Sequence, residues 1–256
     1  MLPEERKQQI LELLKKKDSV KVTELSQLFD VSEVTIRNYL ADMENKGLLS
    51  RIHGGAISSY KPYYSMNLGQ RLETNHIEKV AITQKAATLI KPNDTIMLNS
   101  GTTTLLAFRQ FPVNYNLNIV TNSISIALEA SGNTNYNVIL IGGSINTKYQ
   151  FSYGIDAISQ LKKYHADKLI LSVDGVDLSN GFSTYYDKEA EIDRTMIEQS
   201  DCCIVVADHS KFHRTAFVKI SDLGSADYLV TDATLDNFAL NELKDAGIEV
   251  CIAQED

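Results

Sequence analysis

The sequence has no tryptophan, four prolines, three cysteines and no long apolar run. So little proline, with 13 glycines in 256 residues, excludes collagen-like and low-complexity chains. So few cysteines exclude a disulfide scaffold. Cys202 and Cys203 are neighbours inside the apolar run Cys202–Ala207. Adjacent cysteines cannot reach ordinary disulfide geometry without strain, so both are expected as buried strand residues in a reducing compartment. There is no Cys-x-x-Cys or Cys/His spacing for zinc, and neither a metal nor a cofactor is expected. No run approaches the roughly 18–20 apolar residues that span a bilayer, so no membrane partner is expected. The opening Met1–Lys7 is charged rather than signal-like, so a cytoplasmic location is expected.

What is present is ordinary globular material. The hydrophobic fraction is 43% and the charged fraction 23%, enough for a real core. The length suggests one large or two modest domains. The net charge of −8 is uneven. Residues 1–57 hold nine basic and nine acidic side chains, and the whole excess of negative charge lies beyond them. A neutral head can bind nucleic acid if its basic groups converge, and an acidic remainder would orient that face by repelling phosphate.

The pattern predicts a small helical head at 1–57, a linker at 58–75 and an α/β body at 76–256. Pro3 to Lys17 carries Ile10, Leu11, Leu13 and Leu14 at helical spacing, with Pro3 suited to the first turn. Thr23 reads as the N-cap of a second helix holding Leu25, Leu28 and Phe29. Ser32 caps a third, in which Ile36, Leu40 and Met43 recur, and Gly47 suits its C-terminal stop. A strand at 48–52 then runs into His53-Gly54-Gly55, a tight turn. Three helices with a turn of about three residues between the last two, followed by a β-turn, form a winged helix-turn-helix pattern; a helical bundle without DNA is the other reading.

In a helix-turn-helix the third helix enters the major groove with its N-terminal side chains at base edges. With Ile36, Leu40 and Met43 inward, Glu33, Thr35, Arg37 and Asn38 face out. Arg37 suits guanine or a phosphate, and Asn38 suits adenine. Ser32 and Thr35 can reach phosphate near the helix start. Arg51 and His53 of the wing suit backbone or minor-groove contacts.

The linker is polar and aromatic, and Tyr60, Tyr63 and Tyr64 suit packing between domains. From His76 onward, β-branched runs alternate with helical stretches. Strands are predicted at 95–99, 118–121, 138–141, 169–173, 204–207, 228–231 and 249–252. Helices are predicted at 79–90, 124–130, 155–164, 189–199 and 238–246. Such alternation makes a mainly parallel, Rossmann-like sheet with helices on both faces. Ligands then bind beyond the carboxyl ends of the strands.

Those strand ends are polar. The first runs into Ser100-Gly101-Thr102-Thr103-Thr104 and a helix start, an anion cradle or an N-cap with spare threonines. The pattern is not a Walker A loop. The second ends in Asn122-Ser123 and the third in Gly142-Gly143. The fourth ends in Asp174-Gly175-Val176-Asp177, whose carboxylates suit sugar hydroxyls, acid–base work or a turn. After the fifth comes Lys211, a partner for an anion or a simply exposed cation.

Taken together, these residues resemble the DeoR family of bacterial transcriptional regulators over almost the whole chain. The head carries Val31-Ser32, Thr35-Ile36-Arg37, Leu40, Glu44, Gly47-Leu48-Leu49, Arg51 and His53-Gly54-Gly55-Ala56. The body carries Asn75, Glu78-Lys79, Ser100 to Thr104, Thr121-Asn122-Ser123, Ile141-Gly142-Gly143, Asp174 to Asp177, Glu189-Ala190-Glu191 and Asp208 to Phe212. The resemblance implies a winged-helix DNA-binding domain and a C-terminal sensor domain similar to ribose-5-phosphate isomerase. It implies a homo-oligomeric repressor of carbohydrate-metabolism genes, nucleoid-associated when on operator DNA and released by a phosphorylated sugar. Three positions depart from the family pattern. Asn38-Tyr39 replaces Arg-Asp, which removes a cation from the reading helix. Asn99 replaces an aspartate beside the cradle, and His213 replaces a glycine. The competing reading is a sugar-phosphate isomerase or deaminase with an appended helical head, but fold alone does not assign function and an isomerase has no need of a winged helix.

Overall fold

The computed structural model describes residues 2–17, 19–45, 48–58, 66–235 and 237–254. The chain divides into two compact units, Met1–Met66 and Asn67–Asp256.

The first unit holds helices α1 (Pro3–Lys17), α2 (Val22–Phe29) and α3 (Glu33–Asn45) and strands β1 (Ser19–Lys21), β2 (Leu49–Ile52) and β3 (Gly55–Ser58). The strands pair antiparallel in the order β1-β3-β2. The apolar repeat in the sequence becomes one small core: Ile10, Leu14, Val22, Leu25, Phe29, Ile36, Leu40, Met43 and Leu49 are all buried. Asp30, in the left-handed region at φ 50°, ends α2, and the Ser26 hydroxyl donates to the Val31 carbonyl to brace the turn. α2 starts at Val22, one residue before the expected N-cap Thr23. Val22 is buried, and its N–H donates to the Gly54 carbonyl of the wing turn. A tertiary bond therefore starts this helix instead of a side-chain cap. A Cβ on Gly55 would lie 2.1 Å from the Val20 carbonyl oxygen, so only glycine lets the wing close onto β1. Gly47 and Tyr60, Tyr63 and Tyr64 lie outside the described residues.

The second unit is built on seven parallel strands in the order β15-β14-β12-β9-β4-β5-β6. They are β4 (Thr95–Leu98), β5 (Leu117–Thr121), β6 (Tyr136–Leu140), β9 (Lys168–Ser172), β12 (Cys203–Val206), β14 (Tyr228–Asp232) and β15 (Glu249–Ala253). Helices α5 (His76–Ala87), α6 (Thr102–Arg109) and α7 (Ile124–Ala130) cover one face. Helices α8 (Ile155–Leu161), α9 (Asp187–Glu198) and α10 (Asn237–Asp245) cover the other. The strand period of two divides neighbours between these cores: Ile96 and Leu98 pack on the first face and Met97 on the second. Strand order runs outward from β4 through β5 to β6, and the other way through β9 and β12, so the topology reverses between β4 and β9. Crevices form at such switch points.

Further elements escape the sequence pattern. α4 (Leu68–Glu73) lies in the expected linker, closed by a capping box in which Asn67 and Gln70 exchange side-chain and backbone bonds. β7 (Ser144–Asn146) and β8 (Phe151–Tyr153) form a hairpin. β10 (Gly175–Asp177), β11 (Gly181–Thr184) and β13 (Val218–Ser221) form a small antiparallel sheet. Strands of three or four residues show too little alternation to be read locally. Cys203 is buried in β12, Cys202 is half-buried, and both are free thiols.

Candidate functional site

Two sets of polar side chains stand out, one in each unit. In the first, Ser32, Arg37, Asn38, Arg51 and His53 are exposed, while Glu33 and Thr35 are half-buried. The Ser32 hydroxyl accepts the Thr35 N–H at 3.1 Å and lies 2.9 Å from the Thr35 hydroxyl, so both are engaged in capping α3. Arg37 pairs with Glu33 at 2.6 Å, one helical turn back. On the wing, Glu44 accepts from the Arg51 backbone N–H at 2.8 Å and from its guanidinium at 2.6 Å. These two bonds hold the Glu44 carboxyl below its usual range. The structure also accounts for Tyr39. Its hydroxyl accepts from the Arg6 guanidinium of α1 at 3.3 Å, and the Lys7 ammonium sits 5.9 Å from its ring centre. Tyr39 thus packs between helices, leaving Asn38 as the exposed member of that departure.

The second set lies at the reversal between β4 and β9. Gly101 must approach β9 closely: a Cβ there would lie 1.9 Å from the Ser172 hydroxyl. α6 starts at Thr102 with no side-chain cap, so no capping side chain pairs its first-turn N–H groups. Thr102 and Thr103 make no side-chain hydrogen bond among the described residues, and both are nearly buried. Thr104 is committed: it donates to Asn99 Oδ1 at 2.9 Å. Asn99 knits the site together. Its oxygen also accepts from the Ser172 N–H at 3.0 Å, and its amide donates to the Ser172 carbonyl at 2.9 Å and to Asp193 at 3.0 Å. An ionised aspartate at 99 would bring a further negative charge against Asp193, which the neutral Asn99 amide avoids.

Beside this turn lies a row of carboxylates, Asp174 and Asp193 buried and Glu189 half-buried. Ser100 donates to Glu189 at 3.1 Å, and the Thr184 hydroxyl lies 2.6 Å from Glu189 and 3.1 Å from Asp174. One hydroxyl proton cannot satisfy both acids. Burial, and then the Asp174 charge, pushes the Glu189 carboxyl up to about 7. Burial and the Glu189 charge likewise raise Asp193 well above the carboxylate range. Cations face them. The Arg71 guanidinium lies 3.8 Å from Asp174 and 4.4 Å from the Tyr149 ring centre. Lys211 is buried, and burial brings its ammonium down to about 8 against the opposing pull of Asp208. Burial acts to raise Asp208, but Lys211, Lys79 and bonds from Ser210 and Asn75 bring it down to about 2. Lys79 is buried and donates to the carbonyls of Arg71 at 2.6 Å and Thr74 at 2.7 Å, which ties the end of α4 onto the site.

Not every predicted residue arrives there. Asp177 sits at the turn of the β10–β11 hairpin and accepts from the backbone N–H groups of Ser179 and Asn180, so it is a turn aspartate. Gly142 and Gly143 follow β6, two strands from β4, with the Gly142 N–H donating to Gln160. Together with Ser144, Asp156, Ser159 and Lys163, Gly143 and Gln160 line a separate open groove. Ser123 caps α7 by accepting the Ile126 N–H. Asn122 is fully buried and donates to the Ser152 carbonyl, while its Oδ1 has no hydrogen-bond partner among the described residues. Ser100, Glu189, Thr184 and Asp174 form one hydrogen-bonded group next to the turn at Gly101 to Thr104, and Lys211 lies within electrostatic reach of Asp174. Arg71, missed because it lies in the expected linker, joins them. Arg71 and Lys79 lie on two separate helices with Asn75 in the left-handed region between them, so no helical period in the sequence links them.

A winged helix joined to a doubly wound α/β unit with a polar crevice defines a DNA-binding regulator with a sensor domain. Residues 6–61 match the DeoR-like helix-turn-helix domain, and residues 74–233 match the DeoR C-terminal sensor domain. The chain belongs to the DeoR family of transcriptional regulators. It is 37% identical to the HTH-type transcriptional regulator YulB of Bacillus subtilis, covering 98% of this chain and 96% of that one. It is 32% identical to GolR of Listeria innocua, covering 99% and 100%. It is 31% identical to the repressor GlcR of Bacillus subtilis, covering 100% and 98%. Among solved structures, ribose 5-phosphate isomerase A of Methanocaldococcus jannaschii aligns with 55% of each chain at a TM-score of 0.40 and 15% identity. No helix among the described residues is long and apolar enough to cross a membrane.

Proposed function

We propose that this regulator is a repressor whose operator affinity is set by a phosphorylated sugar held in the crevice between β4 and β9. The observation that carries this reading is the uncapped start of α6 next to Ser100, which bonds Glu189 in a polar cluster holding Asp174 and Arg71, in the same chain as a winged helix. A phosphoryl group suits the first-turn N–H groups and the Thr102 and Thr103 hydroxyls, because a helix start favours negative charge. Arg71 and Lys211 balance its charge. Asp174 and Glu189 accept from sugar hydroxyls. On the DNA side, Arg37 and Asn38 read bases, and Ser32, Arg51 and His53 position the head on the backbone. Two copies of the chain place two heads on a pseudo-palindromic operator.

Ligand and operator affinities are then coupled by the same factor in both directions. The test is a thermal-shift panel of phosphorylated sugars and their unphosphorylated counterparts, followed by operator titration with each hit. A shift confined to phosphorylated members, together with weakened operator binding, is the expected result. A sugar phosphate that binds without changing operator affinity overturns the reading. An aldose–ketose turnover assay with the same hits is expected to show no conversion.

A further inference from the structure

The exposed side of α3 is not wholly polar. Ile36, Leu40 and Met43 point into the core, and Thr35 is engaged with Ser32. Helical spacing leaves Val34, Arg37 and Asn38 along one exposed stripe. Val34 is 63% exposed in the first turn of the helix. A valine there adds nothing to the core, and its branched side chain is a weaker helix former than alanine or glutamate. Beside it stand an arginine and an asparagine, the two side chains best suited to guanine and adenine.

In the major groove, the apolar group that the four standard base pairs display is the thymine 5-methyl. The N-terminal residues of a recognition helix are the ones that meet base edges. We propose that Val34 is a specificity-determining residue that selects thymine through its 5-methyl group, beside the bases read by Arg37 and Asn38. This rests on the DNA-binding role of the head and is independent of the crevice. Burying one methyl-sized group is worth about a four-fold change in affinity. Val34 therefore sharpens the choice of site without carrying the binding, which comes mainly from phosphate contacts.

The test uses the full chain. A binding site is first selected from random duplexes by the wild-type protein. Each thymine of a half-site is then replaced singly by deoxyuracil, which removes only the methyl. The wild type is expected to lose about four-fold at one such position. Val34→Ala is expected to bind thymine and uracil equally there, and Val34→Thr is expected to be intermediate. Because Val34 is exposed, neither variant threatens the fold. The proposal is overturned if every uracil site binds the wild type as well as thymine does, if Val34→Ala keeps the full preference, or if the selected half-site has no thymine. A wild-type chain that selects no duplex at all overturns the DNA-binding reading as well.

Discussion

The two units handle charge in opposite ways. In the head, Arg37 and Arg51 are exposed and each is paired with an acid on the surface. Around Asp174, Lys211 and Asp208 are buried and Glu189 is half-buried, and their ionisation moves far from the ordinary range. Water screens the first set, so its cations can exchange an acid for a DNA phosphate at little cost. Burial keeps the second set strongly interacting, as the proposed role of holding one small polar ligand requires. A long polyanion can be met by many weak, replaceable contacts, whereas a small ligand offers few and each must be preorganised.

The largest effect expected from breaking this contrast is at Asn99. Asn99→Leu strands Asp193, Thr104 and the Ser172 backbone without their partner. It should destabilise the body by about 3 kcal/mol. Denaturant titration should then show the body's transition moving to lower denaturant while the head's transition stays in place. A single unchanged transition would mean that the Asn99 network is dispensable. Next, Arg71→Met should leave ligand-free DNA binding intact but weaken sugar-phosphate binding by about 2 kcal/mol, since it removes the charged partner of a buried anion. Calorimetry on the two proteins reads this directly. Arg37→Ala should weaken operator binding by roughly 1–3 kcal/mol with no change in the melting of either unit.

The pH response sharpens the same contrast. Glu189 titrates near 7 in the folded state, above its usual range. Between its ordinary value and 7 the folded chain holds a proton that the unfolded chain has released, so stability falls as pH rises through that window. Asp208 has the opposite sign: its stabilisation is present above the usual aspartate range and is lost as pH falls toward about 2. Glu189→Gln should flatten the loss between pH 5 and 7, measured as denaturation midpoints of the two proteins. Equal slopes would place the proton elsewhere. The smallest effect belongs to the wing: Arg51→Ala, which opens an exposed pair with Glu44, should change stability by under about 1 kcal/mol.

Much of the framework is legible in the sequence. Each of the seven parallel strands is a β-branched or apolar run, and every one of their ends lies within two residues of its expected place. Buried strands need such runs on both faces. The head was legible for the same reason, since Ile36, Leu40 and Met43 announce the inner side of α3. The places of Ser100 to Thr104, Asp174 and Lys211 at strand ends were legible because polar residues there collect at one edge of a parallel sheet. Asp177 could not be separated from Asp174 by sequence. The two are alike locally, and only hairpin geometry turned one onto Ser179 and Asn180. Arg71 was hidden in a six-residue helix too short to show a period.

The amino-acid order by itself determined the local elements, the inward faces and the family pattern, because hydrophobic period, caps and glycine positions act over a few residues. The tertiary structure alone decided which polar groups meet. Asn99 reaches Asp193 across 94 positions, and Asn75 reaches Asp208 across 133. Contacts of that separation exist only once the sheet has ordered its strands, and burial then sets which carboxylates keep their protons.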